Sequence, residues 1–288
     1  MKKKIIKIVS FVLFAACLMG ITSLSASATA NNRIIFPTAA SSTTIYSKNA
    51  RVLEGQAAII DSVTYVGLRS FCDLFGNYKI SWNDATKTAK VTGEGLSLTA
   101  TSGDLYIYAN GRCLYTVTPI RIIDNKLCVP IRAIAKALGV EVSWNDKTRS
   151  IELTDTGKYF AWSDSFYDND ELYWLSRIIS AEAKGESLKG QIAVGNVVLN
   201  RVRSSSYPNT IYGVIFDRKH GTQFSPVSFG TIYNTPTASS IIAAKICLEG
   251  YSITNTALFF VNPKIATSNW IQKNRTYEFT IGNHQFYS

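Results

Sequence analysis

Apolar and polar residues follow three different patterns along this chain. Residues 8–20 are almost continuously apolar. Between residues 45 and 155, short apolar segments alternate with polar positions in the period of half-buried β-strands. From residue 171 onward, apolar residues recur every three or four positions, which is the period of an amphipathic helix. The pattern predicts an α+β protein, in which an antiparallel β-sheet module with short helices precedes a mainly helical domain with a small β element.

The first thirty residues have the three parts of a secretory signal peptide. A basic start with four lysines precedes the apolar stretch, and residues 25–30 are all small. This order predicts export and cleavage after Ala28 or Ala30. The alternative is an uncleaved membrane anchor, but the apolar core is short for a helix that spans a bilayer. No second apolar run approaches that length, so the cleaved chain is predicted to have no membrane span.

The β-sheet module contains an internal repeat. The sequence VGLR at residues 66–69 returns as VPIR at 129–132, and SWND at 81–84 returns as SWND at 143–146. Each copy predicts the same unit: a short helix that ends at a glycine, a strand that leads to the tryptophan, an Asn-Asp turn and a returning strand. Two such units therefore account for most of the predicted module, residues 45–155.

These repeated motifs resemble the copper amine oxidase N-terminal-like stalk domain over residues 45–155. The resemblance implies a spacer or a wall-adhesion module without a catalytic role. This half contains no histidine and its carboxylates lie at turns, so no copper site is predicted. Trp82 and Trp144 occupy equivalent repeat positions and are interpreted as core anchors, with sugar-stacking platforms as the alternative. Residues 31–44 and 156–170 are interpreted as linkers.

Cysteine spacing argues against a zinc site and against a disulfide-rich scaffold. The cleaved chain keeps Cys72, Cys113, Cys128 and Cys247, and no two of them form a CxxC pair. Two alternatives stay open for the first three cysteines. One is a single disulfide between two of them, and the other is burial of all three as small apolar side chains. The two histidines of the chain form no HExxH or HxH pattern. No metal and no cofactor are therefore predicted.

A helix predicted from residue 171 carries an acid on its apolar face. Asp168 or Asn169 would cap its N-terminus. Glu182 follows Ile178 by four residues and Ile179 by three, so it continues the buried stripe. Burial and the negative end of the helix dipole would both keep this carboxyl group protonated near neutral pH, as a general acid requires. The alternative is a Glu182 that serves as an N-cap or a salt-bridge partner.

The next segment, residues 187–203, predicts a second helix. Gly190, Ala193 and Gly195 are small enough to let a neighbouring helix approach closely. Polar residues recur on the opposite side, where they would face a sugar groove or water: Asn196, Asn200 and Arg203.

The second half carries an ordered series of motifs within residues 171–288, namely IISAEAKGE at 178–186, GQIAV at 190–194, VVLNRV at 197–202, YPNT at 207–210, QFSP at 223–226, ALFFVNP at 257–263 and IGNHQFY at 281–287. This series is similar to the SleB/CwlJ family of spore-cortex-lytic cell wall hydrolases. The resemblance implies a peptidoglycan glycosidase of lysozyme-like architecture, in which Glu182 is the catalytic acid.

Six residues of this half are candidates for substrate binding. Polar and aromatic side chains in loops are typical of grooves that hold acetamido groups and sugar faces. The six are Gln223, Phe224, Ser225, Phe260, Asn262 and His284. Asn262 before a proline is also typical of a turn, and His284 is also suited to bracing the backbone.

The number of acids at the site decides the reaction. Ordinary glycosidases use two carboxylates, and no second acid pairs convincingly with Glu182 in the sequence. The resemblance implies a lytic transglycosylase, in which one glutamate protonates the glycosidic oxygen between N-acetylmuramic acid and N-acetylglucosamine. The same group then deprotonates the C6 hydroxyl that closes a 1,6-anhydro ring. A water-dependent muramidase stays open, with Glu186 or Glu278 as its base.

Two other classes of protein stay open. A cysteine amidase or peptidase would pair Cys247 with His220 or His284, although the apolar helical segment around the cysteine favours a buried thiol. The other class is a non-catalytic wall-binding protein. Peptidoglycan of spore cortex or vegetative wall is the predicted partner, nucleic acid is not, and any accessory germination protein stays unidentified. The predicted location is the wall or spore envelope of a Gram-positive bacterium.

Composition and charge add one expectation, which concerns adhesion of the protein to the wall. Hydrophobic residues make up 46% of the 288 residues, which excludes a disordered chain. The formal charge is +10, and four of the lysines belong to the predicted signal peptide. Residues 160–288 contain 11 basic and 9 acidic side chains. Most of the remaining surplus therefore lies in the β-sheet module, where it favours weak attraction to an anionic wall.

Overall fold

The computed structural model describes residues 33–219 and 223–288. The predicted signal peptide, residues 1–30, and His220 lie outside the described residues. Ile34–Ser288 form one compact unit, so the β-sheet module and the helical domain pack against each other. Within the described part of the chain, no helix is both long and apolar enough to cross a membrane.

Residues 33–155 form the β-sheet module. Its strands are β1 (Ser41–Ser42), β2 (Ile45–Ser47), β3 (Ala50–Val52), β4 (Ala57–Ile60), β5 (Val63–Gly67), β6 (Lys79–Asn83), β7 (Thr88–Gly93), β8 (Leu96–Thr101), β9 (Tyr106–Ala109), β10 (Arg112–Tyr115), β11 (Arg121–Ile123), β12 (Lys126–Pro130), β13 (Val140–Asn145) and β14 (Ser150–Asp155). Two short helices follow β5 and β12, namely α1 (Leu68–Phe75) and α2 (Ile131–Ala137).

The strands form three sheets, in the orders β1-β4-β5-β12-β11, β10-β9-β8-β7-β6 and β13-β14-β2-β3. The alternation in β8 illustrates why these segments are strands, because every second residue from Leu96 is buried. The expectation of an antiparallel module needs one correction: β14 pairs with β2 in parallel. These strands come from opposite ends of the module, so no short hairpin loop forces them to run antiparallel.

The two repeat units meet at the centre of the first sheet. Strands β5 and β12 pair antiparallel, with Val66 directly opposite Val129. These valines occupy the same position in VGLR and VPIR, so the repeat units face each other across this pair of strands. Helices α1 and α2 then supply Phe71 and Ile134, which are fully buried in one core. The internal repeat therefore corresponds to a repeated structural unit.

The expectation that Trp82 and Trp144 anchor the core is wrong. Their exposed fractions are 44% and 46%. Each indole N–H donates to the aspartate two residues later, at 3.4 Å for Asp84 and 2.8 Å for Asp146. Each tryptophan lies at the turn end of its hairpin, where little of the module covers it. The repeated SWND sequence therefore builds a hairpin tip, which the spacing alone did not distinguish from a core position.

The second half consists of helices and one small sheet. The helices are α3 (Ser163–Phe166), α4 (Asn169–Ala183), α5 (Leu188–Arg203), α6 (Ile211–Phe216), α7 (Ser225–Ser228), α8 (Ala238–Leu248) and α9 (Trp270–Asn274), with a 3₁₀ turn at Thr231–Tyr233. The sheet contains β15 (Phe259–Val261), β16 (Tyr277–Ile281) and β17 (His284–Tyr287), in the order β15-β17-β16. The mainly helical domain with a small β element is confirmed.

Helices α4 and α5 begin where the sequence predicts. The Asp168 carboxylate caps α4 by accepting hydrogen bonds from the N–H groups of Asp170 and Glu171 at 2.8 and 3.1 Å. The Ser187 hydroxyl caps α5 in the same way through the N–H of Gly190. Such caps satisfy N–H groups that have no partner inside the helix.

The close helix approach predicted at Gly195 is confirmed. A Cβ atom at this position would lie 2.7 Å from Cys247 Sγ on α8 and 2.8 Å from Ile179 Cδ1 on α4. Only a residue without a side chain therefore lets the three helices pack at this distance.

A buried ion pair joins the two halves of the molecule. Arg112 on β10 donates to both carboxylate oxygens of Glu249, just after α8, at 2.6 and 2.8 Å. The two side chains are only 5% and 4% exposed. Tyr167 and Lys136 also donate to this carboxylate, at 2.9 and 3.1 Å. Burial raises the pKa of Glu249, but the hydrogen bonds and positive charges of Arg112 and Lys136 outweigh burial and lower it overall.

The segment predicted as a linker, residues 156–170, is packed into this junction. The rings of Phe160 and Phe166 lie 4.0 and 3.3 Å from the guanidinium carbon of Arg112. The side chain of Asn110 donates to the Phe160 carbonyl at 2.6 Å. The segment therefore fixes the junction instead of spacing two independent domains.

All four described cysteines are buried free thiols. Of the two alternatives left open for Cys72, Cys113 and Cys128, the structure shows burial. Cys113 belongs to the hydrophobic core of the helical domain although it lies on β10. It therefore contributes to the junction as a small apolar side chain.

The ion pair at the junction should make a large contribution to stability. We expect Arg112→Met to lower the free energy of unfolding by about 3–5 kcal/mol, because it leaves the Glu249 carboxylate buried without its main partner. Arg51→Met is the matched control, since Arg51 pairs with Glu54 at 2.9 Å but both side chains are more than half exposed. The control should cost no more than about 1 kcal/mol in urea unfolding. Equal costs for the two variants would contradict this account.

Candidate active site

A groove of about 940 Å³ lies in the helical domain. Helices α4 and α5, the loop before α7, strand β15 and helix α9 all contribute side chains to it. The lining residues are Glu182, Arg201, Ser206, Tyr207, Gln223, Phe224, Ser225, Phe259, Phe260, Ala266, Thr267, Ser268, Trp270, Ile271 and Arg275. Aromatic rings combined with a few polar groups are typical of sites that bind organic ligands.

Glu182 reaches the groove from the last turn of α4. It follows the fully buried Ile178 and Ile179 on the same helix face. Burial raises the pKa of its carboxyl group from 4.5 to about 7, and the positive charge of Arg201 opposes part of that rise. A carboxyl group with this pKa is about half protonated near neutral pH. The protonated form is the one that donates a proton.

Arg201 was missed by the sequence analysis. It lies on α5 and is 5% exposed. Its Nε donates to the Leu258 carbonyl at 2.8 Å, while Nη1 has no hydrogen-bond partner among the described residues. Burial lowers its pKa. Arg201 follows Val194 by seven residues and Val197 by four, so the spacing that marked Glu182 would also have marked this arginine.

Four of the six predicted substrate-binding residues line the groove: Gln223, Phe224, Ser225 and Phe260. Phe224 is 2% exposed and packs against Phe260 with 6.4 Å between ring centroids. The Arg201 guanidinium lies 5.0 Å from the centre of the Phe224 ring. The structure therefore brings these four residues together with Glu182, although all four lie far from Glu182 in the sequence.

The other two predicted residues, Asn262 and His284, are not among those that line the groove. The Asn262 carbonyl accepts from the N–H groups of Ile265 and Ala266, so the residue forms a turn. The His284 ring packs edge-on against Phe260 at 5.3 Å. Burial lowers the pKa of His284, which favours the neutral imidazole. His284 therefore supports a groove residue, and direct contact of either residue with a substrate stays a prediction.

The lining contains further residues that were not predicted, among them Tyr207, Trp270 and Arg275. Trp270 is 51% exposed at the start of α9. The Arg275 guanidinium lies 5.1 Å from the Trp270 ring and 4.4 Å from the Phe259 ring. No periodic pattern surrounds this short helix, so only the tertiary structure places it at the groove.

Glu186 and Glu278 do not line the groove. The Glu186 carboxylate accepts hydrogen bonds from the N–H and side chain of Asn283 at 3.2 and 2.9 Å, at the turn between β16 and β17. Glu278 accepts from the Thr254 hydroxyl at 2.9 Å. Every Asp and Glu of the sequence lies within the described residues, and Glu182 is the one acid in the described lining. The geometry therefore offers a single carboxylate.

Of the three polar residues on one side of α5, Arg203 faces water as expected, whereas Asn196 and Asn200 face neither water nor the groove. Asn196 accepts from the Ile253 N–H at 2.7 Å and donates to the Tyr251 carbonyl at 3.1 Å. Asn200 donates to the carbonyls of Thr254 and Ala257. Both asparagines are buried. They hold the loop between α8 and β15, which leads directly to the aromatic residues of the groove.

Cys247 lacks the properties of a nucleophile. It is 2% exposed, and its thiol donates to the Ile192 carbonyl at 3.5 Å. Burial raises its pKa, so the thiol is protonated. Within residues 33–219 and 223–288, no group of three or more His, Cys, Asp and Glu side chains is arranged to hold a metal ion.

Two protein families match separate parts of this chain. Residues 185–287 match the family described as Cell Wall Hydrolase. Residues 45–153 match the Copper amine oxidase N-terminal domain. Glu182 lies just before the first residue of the hydrolase match.

Similar proteins match the same C-terminal region. A spore cortex-lytic enzyme of Bacillus cereus is 38% identical over 120 residues, which are 42% of this chain and 45% of that protein. The spore cortex-lytic enzyme of Bacillus subtilis is 35% identical over 42% of this chain and 38% of its own length. The chain thus matches less than half the length of these relatives.

Solved structures match this region as well. The catalytic domain of the germination-specific lytic transglycosylase SleB from Bacillus anthracis is 38% identical, with 42% of this chain and 97% of that chain covered and a TM-score of 0.39. The catalytic domain of Bacillus cereus SleB is also 38% identical, with 92% of that chain covered and a TM-score of 0.38. By sequence identity and coverage of that catalytic domain, the C-terminal region belongs to the cell wall hydrolase family, while residues 45–153 match the copper amine oxidase N-terminal domain.

Proposed function

We propose that this protein is an exported enzyme that cleaves peptidoglycan between N-acetylmuramic acid and N-acetylglucosamine, acting as a lytic transglycosylase. The observation that carries the proposal is the single acid of the groove, Glu182, whose pKa is raised to about 7. The names of the relatives, which are spore cortex-lytic enzymes, support this class of substrate. The proposed location is the cell wall or spore envelope.

The first step of the proposed reaction is proton donation. Protonated Glu182 gives its proton to the glycosidic oxygen, the bond from that oxygen to C1 of the muramic acid breaks, and N-acetylglucosamine leaves with a free 4-hydroxyl group. Positive charge develops on the muramic ring as the bond breaks. The Glu182 carboxylate formed in this step faces the developing charge and stabilises it.

The second step returns the proton to Glu182. The carboxylate takes the proton from the C6 hydroxyl of the same muramic residue, and that oxygen bonds to C1 to close a 1,6-anhydro ring. Glu182 is then protonated again and ready for another cycle. One carboxylate that alternates between acid and base is sufficient. This agrees with the groove, because none of the other described acids is among its lining residues. A water-dependent muramidase would need a base for its water nucleophile.

The groove walls are suited to holding the glycan during these steps. The Trp270 ring is exposed and offers a flat apolar face to a sugar. The Arg201 Nη1 atom has no hydrogen-bond partner in the described part of the chain, so an acetamido or carboxyl oxygen of the substrate would satisfy it. The positive charge of Arg201 also stabilises the Glu182 carboxylate after the first step.

Replacement of the proposed acid should remove activity. We expect Glu182→Gln to release soluble muropeptides about 10²–10⁴ times more slowly than the parent protein, because an amide has no acidic proton to donate. Glu186→Gln is the control, since Glu186 lies outside the groove lining and should retain most activity. Mass spectrometry of digests of purified cortex and vegetative peptidoglycan measures both variants.

The products of the same digests test the mechanism. Muramic acid ends of the 1,6-anhydro type are expected from the parent protein, while reducing ends would establish hydrolysis by water instead. Equal product from Glu182→Gln and the parent would contradict the role of this acid. Absence of product from the parent on both substrates would leave the wall-binding alternative.

The pH dependence should follow the pKa of Glu182. Because the reaction begins with the protonated form, we expect kcat/KM to fall as the pH rises through about 7. Arg201→Met removes a positive charge that lowers this pKa, so the fall should move to higher pH. Arg203→Met is the control, because Arg203 lies two residues further along the same helix on its exposed side. An unchanged profile for Arg201→Met, or a shift to lower pH, would show that the arginine does not act on the acid.

A further inference from the structure

A second cavity, of about 520 Å³, lies in the β-sheet module. It is bounded by strands β4, β5 and β13, by the start of α2 and by the segment after β10. Its lining is mainly apolar, and its polar members are hydroxyl groups and one guanidinium. The lining residues are Ile59, Ser62, Val63, Thr64, Tyr115, Thr116, Val117, Pro130, Ile131, Arg132, Ala133, Val142, Ser143, Trp144 and Ile151.

Trp144 presents a fixed aromatic face to this cavity. The side chain is 46% exposed, although burial of an indole is strongly favourable. Its N–H donates to Asp146 at 2.8 Å, which fixes the ring and leaves the ring face, not the N–H, for recognition. An exposed and oriented indole face suits the apolar face of a pyranose ring.

A strained turn holds Val117 in the lining of the same cavity. The φ angle of Val117 is +65°, and the Thr118 N–H donates to the Thr116 carbonyl at 2.7 Å. This is the strained form of the γ-turn, and for a β-branched residue such a backbone costs about 1–3 kcal/mol. Despite the cost, half of the valine side chain remains exposed.

The surrounding structure enforces this turn. The Tyr65 hydroxyl donates to the Pro119 carbonyl at 2.7 Å, and the Thr116 hydroxyl donates to the Thr118 carbonyl at 2.8 Å. Tyr65 is fully buried, so the strain is maintained by the core of the module. Strain that is maintained beside a cavity is typical of binding sites, where it fixes the position of a contact.

Charge at the cavity selects among ligands. Among the described residues that line it, Arg132 is the one charged side chain. Arg132 is exposed, and its Nη1 donates to the Val142 carbonyl at 3.3 Å, which orients the guanidinium. A planar guanidinium binds a carboxylate well. The ligand that fits is therefore a sugar with an apolar face and a carboxylate-bearing substituent.

We propose that this cavity is a second glycan-binding site, which holds a muramic-acid-containing segment of peptidoglycan through the Trp144 ring and Arg132. The inference rests on the proposed substrate class, but it assigns the β-sheet module a binding function of its own. The cavity wall at Tyr115 contacts Tyr251 of the helical domain, with 4.3 Å between ring centroids. A glycan strand held there is attached to the same compact unit that carries the groove.

Binding to insoluble peptidoglycan tests this proposal. The parent is the full cleaved chain with Glu182→Gln, which prevents turnover, and the probe is purified peptidoglycan from which the attached anionic polymers have been removed. Trp144→Ala in this parent should bind at least about fivefold more weakly, since one ring contact is lost. Trp144→Phe should restore most of the binding. Arg132→Gln should also weaken binding and reduce its dependence on salt.

Trp82→Ala is the matched control. Trp82 has the same hairpin position, a similar exposure and the same type of aspartate contact, but it is not among the residues that line the cavity. This variant should bind as the parent does. Thermal unfolding of each variant verifies that it is folded, and Trp144→Phe and Arg132→Gln keep the test valid if Trp144→Ala unfolds.

Three outcomes would overturn the proposal. They are unchanged binding by folded Trp144 and Arg132 variants, equal weakening by the two tryptophan variants, and binding by the parent that disappears with the anionic polymers. Turnover of soluble glycan chains by the protein with Glu182 intact is measured separately. An inactive protein that still binds through Trp144 would refute the proposed enzyme and leave the second site standing.

Discussion

The contact of α4, α5 and α8 at Gly195 is the constraint on which the groove depends. A side chain at this position would overlap Ile179 on one side and Cys247 on the other. Glu182 follows Ile179 by three residues, and Arg201 follows Gly195 by six. Close packing at one glycine therefore brings an acid from α4 and a cation from α5 to the same groove. A wider separation of these helices would admit water around both groups and remove the effect of burial on them.

Burial acts on the two groups in opposite directions. It raises the pKa of Glu182 and lowers that of Arg201, because each charged form loses its hydration. Their mutual attraction favours both charged forms and limits each shift. A fully paired glutamate would be ionised at neutral pH, and a glutamate without any cation nearby would be a weaker acid. This partial compensation keeps the pKa of Glu182 close to neutral pH, where one carboxyl group is able both to donate and to accept a proton.

The junction between the two halves is connected to the groove through the chain itself. Glu249, which Arg112 binds, is followed at once by the loop that Asn196 and Asn200 hold. That loop leads to β15, whose Phe259 and Phe260 form part of the groove wall. The β-sheet module is thus packed onto the segment that positions the wall. The segment expected to be a linker is packed against Arg112 at the same junction.

The sequence by itself determined the elements whose signal is local or periodic. These include the capped start of α4, the acid on its buried stripe, the small residue at the helix crossing and the two repeat units of the β-sheet module. The motif series also identified four side chains of the groove. All of these depend on neighbours within a few residues or on motifs in the sequence, so the sequence is sufficient to predict them.

Only the tertiary structure decided the features that depend on which surfaces cover one another. Trp82 and Trp144 lie at hairpin tips that the rest of the module covers only in part, so apolar character alone did not bury them. Asn196 and Asn200, polar and unexplained in the sequence, satisfy backbone groups of a loop more than 50 residues away. The α9 residue Trp270 reaches the groove only through the path of the chain after β15. Burial is a property of the assembled surfaces, whereas periodicity shows only which residues share a face.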